Sequence, residues 1–237
     1  MELFYSNLIE RDTIILDSCE SKHCIKVLRK SIGDLVNVVD GKGTLYKGSI
    51  VSFNNKQCQI QIKEKIKEYG KRDYYIHIAI SVLKNHNRLE WFIEKSVELG
   101  IDEISFIYCQ RTLKKTIKLN RIYKTAIVAM KQTLKAKIPK INNVLKLEDF
   151  LKNCFSENRY ICHLEKNNQK DLFHFKKEIK NNRNICVLIG PEGDFTLDEI
   201  SFSEKCKFQP VTLGRSRLRS ETAGIVACHL LNIINNK

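Results

Sequence analysis

From residue 74 onward, short apolar runs alternate with longer segments of helical character. The apolar runs at 104–108, 160–164 and 185–189 show no helical spacing, which is typical of strands buried on both faces. Because strands that alternate with helices form parallel sheets covered on both sides, the pattern predicts an α/β domain. Its further strands are expected at 76–82 and 211–213, with helices at 89–99 and 119–137, in the lysine-rich stretch before 185, and at the end of the sequence.

The first 70 residues follow a different pattern. Residues 35–39, 44–51 and 57–66 alternate apolar and polar side chains, as strands with one buried face do, and one helix is predicted near 18–28. We therefore expect a small, barrel-like β domain at 1–70 and an α/β domain at 71–237. The charged stretch around Gly70 is a natural linker between them.

The charge balance indicates the kind of partner. Lysine and arginine number 41 against 27 for aspartate and glutamate, and the net charge of +14 is spread along the chain. This favours a polyanion such as nucleic acid, with a compositional bias toward lysine as the open alternative. The nine cysteines form no C-x-x-C pair and are interpreted as reduced thiols, so we expect no metal. No apolar run reaches membrane-spanning length, and we expect a soluble, cytoplasmic protein without a membrane partner.

Residues 189–196, IGPEGDFT, form a turn rich in glycine and proline directly after a predicted strand. Thr196 and Glu199 then match the capping box that starts a helix. In open α/β sheets, ligands bind where such turns follow the carboxyl ends of strands. The segment is thus a candidate ligand turn, with an ordinary glycine and proline connection as the alternative.

A second turn, at Gly214, follows the last predicted strand, and neighbouring strands would bring the two turns together. Neither turn is a dinucleotide G-x-G-x-x-G or a phosphate-binding G-x-x-x-x-G-K-[ST], which disfavours nicotinamide and nucleoside triphosphate enzymes. Three arginines beside the second turn favour an anionic substrate; they are Arg215, Arg217 and Arg219. Glu192 and Glu221 are the glutamates of the two turns, and each either handles a proton or braces its loop.

Two motifs in this order, LIGPEGDFTLDEI and LGRSRLRSETAG, closely resemble the paired signatures of one family. That family is the bacterial 16S ribosomal RNA uridine N3-methyltransferases (RsmE), which belong to the trefoil-knotted SPOUT superfamily. The segment HCIKVLRKSIGD at 23–34 is similar to the family's H-x-x-x-V-L-R-x-x-x-G-D pattern in its PUA-like domain. Further matches are Lys84, Arg88, EKSVELGIDEI at 94–104, Arg111 and KQTLKAKIP at 131–139. The resemblance covers nearly the whole chain.

The resemblance implies a PUA-like RNA-binding β-barrel domain at 1–70 and a SPOUT methyltransferase domain with a trefoil knot at 71–237, in a homodimer. It also implies methylation of uracil N3 at uridine 1498 of 16S ribosomal RNA in the small ribosomal subunit, with S-adenosylmethionine as cofactor. The cofactor would lie against the backbone of both turns, at Ile189, Gly190, Glu192, Gly193, Leu213, Gly214 and Leu218.

Uracil N3 carries a proton, so the resemblance requires a group that removes it or stabilises the anion. Arg219 is expected to supply a positive charge, with Glu221 orienting it or helping to remove the proton. Phosphate contacts are expected from Lys26, Arg29, Arg88 and Arg111, each of which is equally an ordinary surface charge.

The chain departs from the family pattern at four positions. Asp194 stands where the family often has glycine, and Ser216 where it often has arginine. The family's common E-Q-S-x-R segment begins here with Lys131 and ends with Lys135. These changes bear on RNA contacts more than on the cofactor. Two other functions stay open, namely a SPOUT methyltransferase for another RNA site or atom, and an RNA-binding ribosome-assembly factor without turnover.

Overall fold

The structure is a computed structural model that describes residues 2–54, 56–164, 169–181 and 183–236. The chain divides into two compact units. The N-terminal unit comprises Met1–Lys71 together with Ala126–Ile138, and the C-terminal unit comprises Arg72–Thr125 and Pro139–Lys237. The sequence pattern does not reveal where 126–138 belongs, because helical periodicity identifies an apolar face and not its partner.

A six-stranded mixed sheet forms the N-terminal unit. Its strands are β1 (Leu3–Tyr5), β2 (Leu8–Glu10), β3 (Thr13–Leu16), β4 (Leu35–Val39), β5 (Leu45–Phe53) and β6 (Cys58–Ile66), in the order β1-β4-β5-β6-β3-β2. β1 and β4 pair in parallel, and the other neighbours pair antiparallel. The three predicted strands are confirmed within two residues at each end. β1 to β3 were missed because runs of three or four residues are too short to show alternation.

The first helix of this unit is capped by Asp17, whose side chain accepts hydrogen bonds from the N–H groups of Cys19 and Glu20. It runs as α1 (Ser18–Lys22) and continues as a π-helical turn, His23–Val27. The helix predicted near 18–28 is therefore confirmed in position, although only its first half is α-helical.

A seven-stranded parallel sheet forms the C-terminal unit. Its strands are β7 (Tyr75–Ser81), β8 (Glu103–Tyr108), β9 (Lys140–Lys146), β10 (Asn158–Cys162), β11 (Lys170–Asp171), β12 (Asn184–Ile189) and β13 (Gln209–Thr212), in the order β11-β13-β10-β12-β7-β8-β9. All neighbours pair in parallel, which confirms the α/β class. The two strands missed from the sequence, β9 and β11, lie at the edges of the sheet, where polar residues weaken the strand pattern.

The helices that follow these strands are α2 (His86–Leu99), α3 (Leu119–Gln132), α4 (Leu147–Lys152), α5 (Lys176–Asn181), α6 (Leu197–Lys205) and α7 (Ser220–Asn235). Thr196 and Glu199 form the predicted capping box of α6. α3 ends five residues before the predicted end at 137, and Leu134 beyond it takes a left-handed φ of 56°. The trefoil knot stays a prediction.

Candidate active site

A cavity of about 380 Å³ opens where β10, β12 and β13 end. Because β10 lies between β12 and β13, the two glycine turns flank the end of β10. This corrects the expectation that neighbouring strands carry the two turns, although both turns do line the same cavity. The lining consists of residues 162–164, 189–192, 211–214 and 216–220, with Arg88, Asp194 and Ala223.

Six of the seven residues predicted to contact the cofactor line this cavity; they are Ile189, Gly190, Glu192, Leu213, Gly214 and Leu218. The seventh, Gly193, is not part of the lining, and its carbonyl accepts a hydrogen bond of 2.7 Å from Nη1 of Arg111. Residues 162–164 at the end of β10 were missed, since no glycine or motif marks them. The assignment of a cofactor to these residues stays a prediction at this point.

The first turn depends on close packing around Gly190. A Cβ atom at this position would lie 3.1 Å from the ring of Phe195, which is 2% exposed. The amide of Asp194 donates to the carbonyl of Pro191 at 2.9 Å and closes the turn. Asp194 itself adopts a φ of 62°, a left-handed conformation in which glycine is the usual residue.

The carboxylates of the first turn brace the loop. Asp194 Oδ1 accepts from the amide of Phe195, and Oδ2 accepts from the amide of Leu164, both at 2.8 Å. Glu192 Oε1 accepts from the amide of Lys84 at 3.1 Å, just after β7. These bonds tie the turn after β12 to the ends of two neighbouring strands. The bracing role that the sequence analysis left open for Glu192 therefore has a defined partner.

The second turn is held by its own polar groups. Thr212 Oγ1 donates to the carbonyl of Gly214 at 2.8 Å, and the Gly214 amide donates back to the same hydroxyl at 3.3 Å. Gly214 has a φ of 117°, which side-chain-bearing residues rarely adopt. Arg217 and Arg219 are exposed and line the cavity, whereas the exposed Arg215 does not.

Glu221 lies in the first turn of α7 and is only 5% exposed. Its Oε1 is 3.6 Å from Nε of Arg88, and its Oε2 has no hydrogen-bond partner among the described residues. Arg88 lines the cavity, but Glu221 does not. The structure therefore pairs Glu221 with Arg88, a residue that the sequence analysis considered for phosphate contacts.

The other predicted phosphate contacts are distributed over both units. Lys26 is exposed in the π-helical turn, and Arg29 is exposed with a left-handed φ of 55°. Arg111 belongs to the C-terminal unit, and its Nη1 donates to the carbonyls of Gly193 and Phe195 at 2.7 and 3.3 Å. Arg111 thus supports the first turn without lining the cavity. Phosphate binding by these residues stays a prediction.

The lining of the cavity includes the thiol of Cys162. Burial raises the pKa of the Cys162 thiol, and the charge of Asp194 raises it further, so this thiol at the cavity stays protonated at neutral pH. Over the described ranges, no cluster of three or more His, Cys, Asp or Glu side chains is arranged to hold a metal ion. Within the same ranges, no helix has the length and apolar character needed to cross a membrane.

Comparison with known proteins gives a consistent result. Residues 70–232 match the family model described as RNA methyltransferase domain, and residues 16–63 match the RNA methyltransferase PUA domain. The chain is 31% identical to the ribosomal RNA small subunit methyltransferase E of Mesomycoplasma hyopneumoniae, over 95% of this chain and 96% of that protein.

Two crystal structures resemble the whole chain. A probable rRNA-methyltransferase from Porphyromonas gingivalis superposes with a TM-score of 0.88 at 31% identity, covering 99% of this chain and 98% of the other. Ribosomal RNA small subunit methyltransferase E from Neisseria gonorrhoeae, bound to S-adenosyl methionine, superposes with a TM-score of 0.84 at 25% identity, covering 96% and 95%.

Proposed function

Because the chain belongs to the ribosomal RNA small subunit methyltransferase E family, we propose that it methylates uracil N3 at one uridine of 16S ribosomal RNA, using S-adenosylmethionine. By family resemblance, the target is uridine 1498 in the small ribosomal subunit. The observation that carries this proposal is the single cavity that both glycine turns line at the carboxyl ends of β12 and β13.

The cavity suits S-adenosylmethionine in size and charge. Its volume of about 380 Å³ falls within the range of about 300–1,000 Å³ that small-molecule sites occupy. The carboxylates of Glu192 and Asp194 suit the positive sulfonium and ammonium groups, and Arg217 suits the carboxylate. The residues proposed to hold the cofactor are Ile189, Gly190, Glu192, Leu213, Gly214 and Leu218 directly, and Gly193 through the shape of the turn. When bound, the cofactor supplies an electrophilic methyl group.

The arginines of the cavity suit the nucleophile of the reaction, uracil N3. Uracil N3 becomes a good nucleophile when its proton leaves, so a fixed positive charge that stabilises the anion favours methylation. Arg88 and Arg219 both line the cavity and are proposed to provide this charge. Glu221 is buried behind Arg88 and is proposed to position its guanidinium. Glu221 is thus a positioning residue that acts without touching the uracil.

This assignment is tested by single-turnover methyl transfer in three variants. We expect R219A to slow transfer about 100-fold, a magnitude typical of losing one charge-stabilising donor. E221Q should slow methyl transfer less than R219A does. It should also shift the pH profile of the transfer rate, because the neutral amide holds Arg88 more weakly. R215A is the matched control, since Arg215 is exposed in the same loop outside the cavity. If R219A and E221Q both react at the wild-type rate, the assignment is wrong.

We further propose a cytoplasmic homodimer in which residues 1–70 contribute to RNA binding. The cytoplasmic location follows from the ribosomal substrate. The dimer rests on the family resemblance and on α7, whose Ile233 is 48% exposed. Analytical ultracentrifugation should give twice the mass of the chain, and a monomer at micromolar concentration would contradict the dimer.

The proposed reaction is tested with small ribosomal subunits that lack the modification. After incubation with the protein and S-adenosylmethionine, reverse transcription should stop at one uridine, because methylation of N3 blocks the pairing edge. Mass spectrometry should identify 3-methyluridine. A different methylated nucleoside would reassign the target atom, and cofactor binding without any methylation of the subunit would reject this substrate.

A further inference from the structure

A run of basic residues lies on the C-terminal unit between the end of β8 and the first half of α3. Residues 111–124, RTLKKTIKLNRIYK, contain six lysines and arginines and no aspartate or glutamate. All six are exposed; the five that follow Arg111 are Lys114, Lys115, Lys118, Arg121 and Lys124. We call these five residues the basic surface.

The start of α3 gives this surface a concave part. Lys118, Arg121 and Lys124 line a shallow, open depression together with Leu119 and Asn120. The first amides of a helix lack intrahelical acceptors, and its N-terminus carries partial positive charge. Backbone and side chains therefore present charge of the same sign to whatever lies in the depression.

The same positive charges act on His86 in the first turn of α2. Burial lowers the pKa of His86, and the nearby positive charges of Lys114, Arg121 and Lys118 lower it further, opposed by Glu90, which raises it. Glu90 forms an ion pair with Arg121. Among the described residues, no ion pair is formed by Lys114, Lys118 or Lys124, so their charges are available to a partner.

The first turn of α2 also reaches the candidate active site. Arg88, two residues after His86, lines the cavity, and the amide of Lys84, two residues before it, donates to Glu192 of the first turn. The ion pair between Arg121 and Glu90 thus joins the basic surface to α2, the helix that carries Arg88 at the cavity.

We propose that Lys114, Lys118 and Lys124, with Arg121, bind the phosphates of the ribosomal RNA strand that carries the target uridine into the cavity. This inference rests on the proposed function. Lysines act as flexible point charges, so these contacts fix the path of the backbone without reading the base sequence. None of these four residues belongs to the phosphate contacts predicted from the sequence.

The test compares two triple variants that remove the same charge. K114Q/K118Q/K124Q removes three of the five charges of the basic surface and leaves the Arg121–Glu90 pair intact, while K152Q/K177Q/K205Q neutralises three exposed lysines elsewhere in the C-terminal unit. Binding to unmodified small subunits and to a single-stranded RNA spanning the target uridine is measured across salt concentrations. Cofactor affinity and thermal midpoint are measured in parallel.

We expect the first variant to raise the Kd for RNA about tenfold or more, and to reduce the slope of log K against log salt by about 2, as three lost phosphate contacts on a single strand require. Cofactor affinity and the thermal midpoint should stay at wild-type values. The control variant should keep most of the RNA affinity. Equal Kd values and slopes for the two variants would overturn the proposal, as would an absence of RNA binding by the wild type. If the wild-type protein binds RNA but never methylates it, the proposed function is rejected and the proposal for the basic surface is not. The Kd values of the two triple variants then still decide whether the surface binds RNA.

Discussion

Asp194 combines a strained backbone with two hydrogen bonds. Its φ of 62° is costly for a residue with a side chain, and its carboxylate accepts the amides of Leu164 and Phe195. Where the family often has glycine, this chain therefore uses a side chain that stabilises the turn against the end of β10. Aspartate and asparagine are the residues that tolerate this conformation best.

We expect D194A to lower the free energy of unfolding by about 2 kcal/mol, because two bonds to a charged acceptor are lost while the backbone strain remains. D194N keeps one acceptor oxygen, and asparagine also tolerates a left-handed φ. D194N should therefore lower the free energy of unfolding less than D194A does. Denaturant unfolding of the three proteins gives the comparison. Equal stability of D194A and the wild type would show that the two bonds contribute nothing.

Gly214 allows the second turn to be tested apart from general stability. We expect G214A to weaken S-adenosylmethionine binding at least tenfold, because a φ of 117° has to change and the turn lines the cavity. Gly43 is the matched control, with a φ of 105° and, like Gly214, no atom within 4 Å of an added Cβ. G43A should lose similar stability in the N-terminal unit and keep its cofactor affinity. Isothermal titration measures the affinities, and equal affinities of the two variants would contradict a role of this turn.

At the scale of elements, α1 and the last turn of α3 are joined within the N-terminal unit. Lys131 forms an ion pair with Glu20, and their side chains are only 16% and 10% exposed. The second oxygen of Glu20 accepts from the amide of Tyr5 on β1 at 3.1 Å. The departure at Lys131 from the family's glutamate thus has a partner of opposite charge in this chain.

Restoring the family's residue should accordingly destabilise the N-terminal unit. We expect K131E to lower its free energy of unfolding by about 3–5 kcal/mol, since Glu20 then loses its partner and faces a second carboxylate in a buried site. K56E makes the same charge change in an exposed loop and should cost little. Thermal denaturation followed by circular dichroism compares them. A midpoint of K131E no lower than that of K56E would mean that the ion pair is not needed.

At the scale of the whole molecule, a buried histidine links stability to pH. Burial lowers the pKa of His77 to about 4, with Lys140 also lowering it and Glu103 raising it. His77 Nε2 lies 2.8 Å from Oγ of Ser105, which joins β7 to β8. Below its ordinary value of 6.5, the unfolded chain binds a proton that the folded protein does not accept until about pH 4.

The free energy of unfolding should therefore fall as the pH drops from about 6.5 to 4, by up to about 3 kcal/mol from this residue. Above pH 6.5 the residue contributes no pH dependence. H77Q should remove this part of the slope, and H229Q, at an exposed position of α7, should leave it unchanged. Urea unfolding at several pH values measures both. A slope in H77Q equal to that of the wild type would assign the effect to other groups.

Local patterns in the sequence determined much of this protein. The buried runs of β8, β10 and β12, the capping box of α6 and the left-handed Gly100 after α2 were predictable, because burial, capping and backbone conformation depend on residues close in sequence. The two glycine turns were predicted to form a ligand site for the same reason, and both line the cavity. The family resemblance then specified the chemistry that such turns serve.

Only the tertiary structure decided which distant groups meet. It placed the end of β10 between the two turns, paired Glu221 with Arg88, directed Arg111 to the carbonyl of Gly193, and joined Lys131 to Glu20. Strand order and ion pairs connect residues far apart in the chain, and periodicity carries no information about them. The sequence by itself thus determined which segments line the cavity, and the packing of the sheet and helices decided which side chains meet there.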